Sequence, residues 1–188
     1  MAKVDIEKID EIYEWYYHTG EWLRAYSAEV IRLARNRIFN SPLICDELLF
    51  KNPSEIQNSL ILKLDRLSMV SVFQLFVSFE GSIRYDTDKR QRRPRVGKDL
   101  KKLVRGKNAR NVKISKIIDC WCDYYSINKN DFAILKGLSD YRNWLAHGRY
   151  WDNVKIPAKL SAITPDYVFI QMRSCFDEFK KYESDFEW

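Results

Sequence analysis

"NPSEIQNSLILKLDRLSMVSVFQLFVSFEGSIRY", residues 52–85, decides the class of the fold. It opens on a helix start signal: Asn52 as cap, Pro53 in the first turn, and Glu55 at the third helical position, where its carboxylate can return to the cap. A long helix is predicted from there to about Tyr85. The most apolar part, "MVSVFQLFVSF" at 69–79, is interrupted by Gln74 and is too short to span a bilayer. The helix therefore belongs to a protein core.

Upstream, from Asp5 to about Ile38, a helical period runs through Ile6, Ile9, Tyr13, Tyr16 or Tyr17, Leu23, Val30, Leu33 and Ile38. Gly20 is a point at which this helix could bend or split, so one helix or two are expected. Downstream, Ile114, Ile117, Ile118, Trp121 and Tyr125 form the stripe of a third helix. A fourth starts near Asn130 or Asp131 and runs toward Gly148. Residues 149–163 read as irregular, and Thr164 and Pro165 then cap and start a last helix through about Tyr182.

With 188 residues, 46% hydrophobic content and only 6 Gly and 5 Pro, the chain reads as one mostly α domain over 1–188 without internal repeats. The first ten residues, "MAKVDIEKID", lack the apolar run of a signal peptide, so a soluble cytoplasmic protein without membrane attachment is expected. Four cysteines occur without paired C-x-x-C spacing, and neither histidine is near enough to complete a zinc motif. No disulfide, metal or cofactor is assigned. Cys120 and Cys122 read as small core or half-buried residues on a helix.

Residues 89–116, "KRQRRPRVGKDLKKLVRGKNARNVKISK", carry thirteen Lys or Arg against one Asp, a charge of +12 that leaves the rest of the chain at −6. Such asymmetry is the footprint of a phosphate-binding surface. A basic loop or insertion at about 87–113 could track an RNA backbone through Arg90, Arg92, Arg93, Arg95, Lys101 and Lys102. A solvated insertion with no ligand accounts for the charge equally well.

The stretch "LSDYRNWLAHGRYWD", residues 138–152, holds His147, one of two histidines, with Arg142 five positions before it. Fifteen arginines in the chain make that spacing unspecific by itself. On a helical projection Ile134, Leu138, Tyr141 and Leu145 fall on one side, and Lys136, Asp140, Asn143 and His147 on the other. The polar stripe is left for water, a ligand or another subunit. Arg142 and His147 diverge by about 140°, so they converge only by a long reach, a local distortion or a twofold axis beside the helix.

Histidine exchanges protons near neutral pH, arginine holds phosphate bidentately, and an asparagine amide orients either partner. That set suits attack by a ribose 2′-hydroxyl on its own phosphodiester and needs no metal. The other reading is a helix end, with His147 at the negative end of the dipole and Gly148 at C′. Trp144, Tyr150 and Trp151 serve as core, interface or stacking groups under either reading.

"YRNWLAHGRYW" resembles the R-x4-6-H motif of the HEPN superfamily, in which a polar residue directly follows the arginine. The resemblance implies an all-α bundle of about four to six helices, here with a basic inserted segment, that dimerises so that two motifs face one cleft. In many members it implies a metal-independent endoribonuclease of toxin–antitoxin or antiviral systems, with RNA as substrate and an antitoxin or inhibitor as partner. On it Arg142 and His147 would be the catalytic pair and Asn143 the assisting group, with Asp140 and Tyr150 as supporting residues and Arg149 as a further RNA contact. "FEGSIRY" at 79–85 is similar to an E-x3-R helix of such proteins, so Glu80 and Arg84 could support the site; an exposed i, i+4 ion pair is the simpler reading. A toxin subgroup modified by a nucleotidyltransferase has tyrosine two residues after the histidine, whereas Arg149 stands there in this chain and Tyr150 follows it. Some superfamily members are non-catalytic binding or dimerisation modules, so an RNA-binding scaffold is the second reading.

Overall fold

The computed structural model describes residues 8–44, 51–105, 109–147 and 163–186. Among these the regular structure is entirely helical: α1 (Ile9–Arg35), α2 (Pro53–Arg90), α3 (Val96–Val104), α4 (Ile114–Tyr125), α5 (Ala133–His147) and α6 (Pro165–Tyr182), with short 3-10 turns at Ala109–Asn111 and Lys129–Phe132. None of the described helices is long and apolar enough to cross a membrane.

The start of α2 is built as its residue types demand. Asn52 Oδ1 accepts from the Glu55 backbone N–H at 3.0 Å, and Glu55 Oε2 accepts from the Asn52 N–H at 2.7 Å, which satisfies two helix-end donors reciprocally. Thr164 caps α6 in the same way, its hydroxyl accepting from the Tyr167 N–H at 3.3 Å. At 38 residues α2 is about 57 Å long and touches each of the other five α-helices. It is the axis of the molecule.

Around its second half lies the main core. Phe76 and Phe79 of α2, Trp121 of α4, Leu135 and Leu138 of α5, and Phe176 and Phe179 of α6 are all buried there. Trp121 stacks on Phe179 with ring centroids 4.3 Å apart. At the opposite end of the α1–α2 pair a smaller cluster forms around Val30 and Ile56.

Of the two alternatives for the first helix the single one forms: α1 runs unbroken through Gly20, which is buried against α2, where an added Cβ would make only ordinary contact with Leu67 at 3.9 Å. A lone helical glycine costs about 1 kcal/mol, which packing along α2 offsets. Two expectations are corrected here. First, α2 continues past Tyr85 to Arg90, because Asp86, Thr87 and Arg90 on one face of its end are buried and paired: Thr87 Oγ1 donates to the Ile83 carbonyl at 2.8 Å.

The second correction concerns the basic segment, of which Val96–Val104 is a helix and not a loop. Val96, Leu100 and Val104, spaced i, i+4, i+8, bury one face of α3, while Lys98, Lys101, Lys102 and Arg105 stay exposed. Gly97 lets α3 start against the end of α2, since a Cβ there would lie 2.1 Å from the Arg90 carbonyl oxygen.

Candidate functional site

Asn128 opens the approach to the site: its side chain accepts from the Asn130 N–H at 3.1 Å and caps the 3-10 turn that feeds directly into α5. On the apolar side expected of α5, Leu138 and Tyr141 are buried and Ile134 is half-buried, Leu135 joins them, and the Leu145 side chain lies outside the described residues. Arg142 follows Tyr141 on the flank of that buried side, facing α2.

There it meets Glu80. Arg142 Nη2 lies 3.3 Å from Glu80 Oε2, and the arginine side chain is 33% exposed. The other carboxylate oxygen, Oε1, accepts from Arg84 Nε at 3.0 Å and also from Arg84 Nη2. Arg84 Nη1 donates to the Val112 carbonyl at 2.7 Å and to that of Ala109. One carboxylate thus bridges two guanidinium groups, and the second of these pins the connection between α3 and α4. The Glu80–Arg84 pair is therefore not the exposed ion pair of the simpler reading; both side chains are largely shielded. The Arg142 Nε–H is buried without a hydrogen-bond partner among the described residues.

Asp140, Asn143 and His147 belong to α5 by backbone, and their side chains lie outside the described residues, as do Arg149 and Tyr150 altogether. The α5 backbone is helical through His147, so Arg142 and His147 keep the divergence of about 140° that five helical steps impose. Lys136 departs from the polar stripe expected to face outward. It is mostly covered and its Nζ donates to Asp119 Oδ1 of α4 at 3.0 Å.

The candidate phosphate ligands divide into two groups. Arg90 is corrected outright: its side chain is 2% exposed, with Asp86 at 2.7 Å, Asp185 at 3.1 Å and Glu183 at 3.2 Å, and its guanidinium lies 5.1 Å from the Trp121 ring centre. These paired acids hold the guanidinium firmly in its charged form, against the cost of burial. Arg93 also pairs with Asp185, and Arg95 lies 3.8 Å from Glu183. Arg92, Lys101 and Lys102 are exposed, Lys102 within 2.7 Å of Asp99.

The described cysteines are free and protonated near neutral pH. Burial pushes the Cys120 and Cys122 thiols up to about 11 and Cys175 well above its ordinary value, so none is a nucleophile of the thiolate kind. Family models, curated proteins and solved structures yield no match to the chain.

Proposed function

We propose that the chain is a metal-independent endoribonuclease of the toxin–antitoxin or antiviral defence kind, as its HEPN-like motif suggests. The observation that carries this reading is the setting of Arg142: a partly exposed guanidinium on the motif's helix, oriented by Glu80 through Nη2. In the proposed reaction His147 takes the proton from a ribose 2′-hydroxyl, O2′ attacks the adjacent phosphorus, and the 5′-oxygen leaves as its bond breaks and a proton is returned to it. Arg142 stabilises the charge that develops on the phosphate oxygens, and Asn143 orients its neighbours. The products are a 2′,3′-cyclic phosphate and a 5′-hydroxyl.

Two copies would complete the site, because Arg142 and His147 diverge on one helix. Along α2, the exposed Leu62, Val70 and Val77 share a face with the exposed Arg66, a mixed surface open to a second copy.

One observation favours the non-catalytic scaffold instead: Arg142 is already engaged in an ion pair with Glu80. The two readings separate on incubation of pure protein with RNA in chelator. The nuclease reading expects cyclic phosphate ends and a rate roughly a hundredfold lower in His147→Ala. Equal rates in the two proteins, or 3′-hydroxyl ends, would overturn it.

A further inference from the structure

Between α3 and α4 runs an open groove of ≈ 800 Å³, lined among others by Asp99, Lys102, Lys116, Asp119, Asp123 and Tyr124. Pockets for drug-sized ligands run to roughly 300–1,000 Å³, so the groove has room for a nucleotide-sized group. Its chemistry is mixed in an ordered way. Asp99, Asp119 and Asp123 each accept from a lysine through Oδ1, from Lys102 at 2.7 Å, Lys136 at 3.0 Å and Lys129 at 2.6 Å. Each carboxylate keeps a second oxygen as an acceptor while its charge is balanced. Lys116, which also lines the groove, has no ion pair among the described residues.

Tyr124 supplies the third element. It is 42% exposed, yet its ring packs edge-on to Tyr125 with centroids 4.8 Å apart, and Tyr125 is itself stacked on Tyr182. The ring is held by that contact and is accessible from the groove.

We infer that this groove binds an unpaired RNA base carrying an exocyclic amine, with the flanking phosphates on Lys102, Lys116 and the neighbouring cations of α3. This deepens the reading of the chain as an RNA-cleaving protein and rests on it for the class of ligand. Stacking on a tyrosine is open to any base. The carboxylates discriminate: adenine, cytosine and guanine each present an exocyclic amine to them, whereas uracil offers only N3–H, flanked by two carbonyl oxygens that a carboxylate repels. An acidic peptide would satisfy the lysines but leave its own charges against three carboxylates.

The test uses the full chain and 2′-O-methylated oligonucleotides, which bind without a free 2′-hydroxyl to attack. Oligo(A) and oligo(C) are expected to bind at least about tenfold more tightly than oligo(U) at fixed salt. Tyr124→Ala should weaken oligo(A) binding roughly 5- to 100-fold, and Tyr124→Phe, which keeps the ring, should not. Asp119→Asn with Asp123→Asn should reduce the preference over oligo(U), and Lys116→Gln should lower the salt slope by about 0.7. Equal binding of the three oligonucleotides, or unchanged binding in Tyr124→Ala, overturns the inference. So does poly-glutamate binding with the same dependence on Tyr124. Cleavage of unmodified RNA, followed in parallel, keeps the two questions apart: an active nuclease indifferent to Tyr124 refutes only the groove, and Tyr124-dependent base preference in an inactive protein refutes only the nuclease.

Discussion

Glu80 stands between Arg142 and Arg84, and without its charge two guanidinium groups would face each other with little water to screen them. Glu80→Gln keeps the shape but removes the charge, and is expected to cost about 2–3 kcal/mol of stability, less than a fully buried pair because the cluster retains some solvent contact. Urea denaturation measures this. A stability unchanged within 0.5 kcal/mol, roughly the scatter of a neutral surface substitution, would show that the bridge holds nothing in place. The Glu80–Arg84 spacing is legible in the sequence, since i, i+4 neighbours on one helix meet by geometry. That Glu80 also reaches Arg142 is not, because the two are joined only by the packing of α5 on α2. Arg90 shows the same limit. It reads as one more cation in a basic run, and its removal from solvent depends on Glu183 and Asp185, far away in sequence. The Asp86–Arg90 spacing is the signal that could have marked it.

At the scale of elements, α3 turns a run of charge into a surface with a direction. Lys98, Lys101, Lys102 and Arg105 share its outer face, whereas Arg90 is sealed in the core beside α3's start. For single-stranded RNA, Lys101→Gln and Arg105→Gln are each expected to lower the salt slope by about 0.7, with base preference unchanged. Arg90→Met should instead lower the melting temperature and leave the slope of the folded protein as it was. A slope that falls for Arg90→Met and not for the other two would reverse the assignment. Caps were the most legible part of these elements. Asn52 with Glu55, and Thr164 with Pro165, fix the starts of α2 and α6 because capping is settled within four residues. The end of α2 and the existence of α3 were hidden. The first depends on buried partners, and the second on three apolar residues whose spacing is easily overlooked in a field of cations.

At the scale of the molecule, α2 joins everything the proposal needs. Its buried face carries the core, and Glu80 holds Arg142. The all-α class followed from helical periods and sparse glycine and proline, whereas completion of the site by two chains is an inference from divergence on one helix. The most direct measurement is cleavage of RNA in chelator by a mixture of Arg142→Ala and His147→Ala chains after subunit exchange, with each variant and the wild type alone as references. If Arg142 of one copy works with His147 of the other, each variant alone is nearly inactive and the mixture recovers about a quarter of the wild-type rate, since half of the dimers are mixed and each regains one of two sites. An active wild type with no recovery in a mixture shown to contain mixed dimers would contradict the shared site, and a wild type that leaves RNA intact would contradict the nuclease itself.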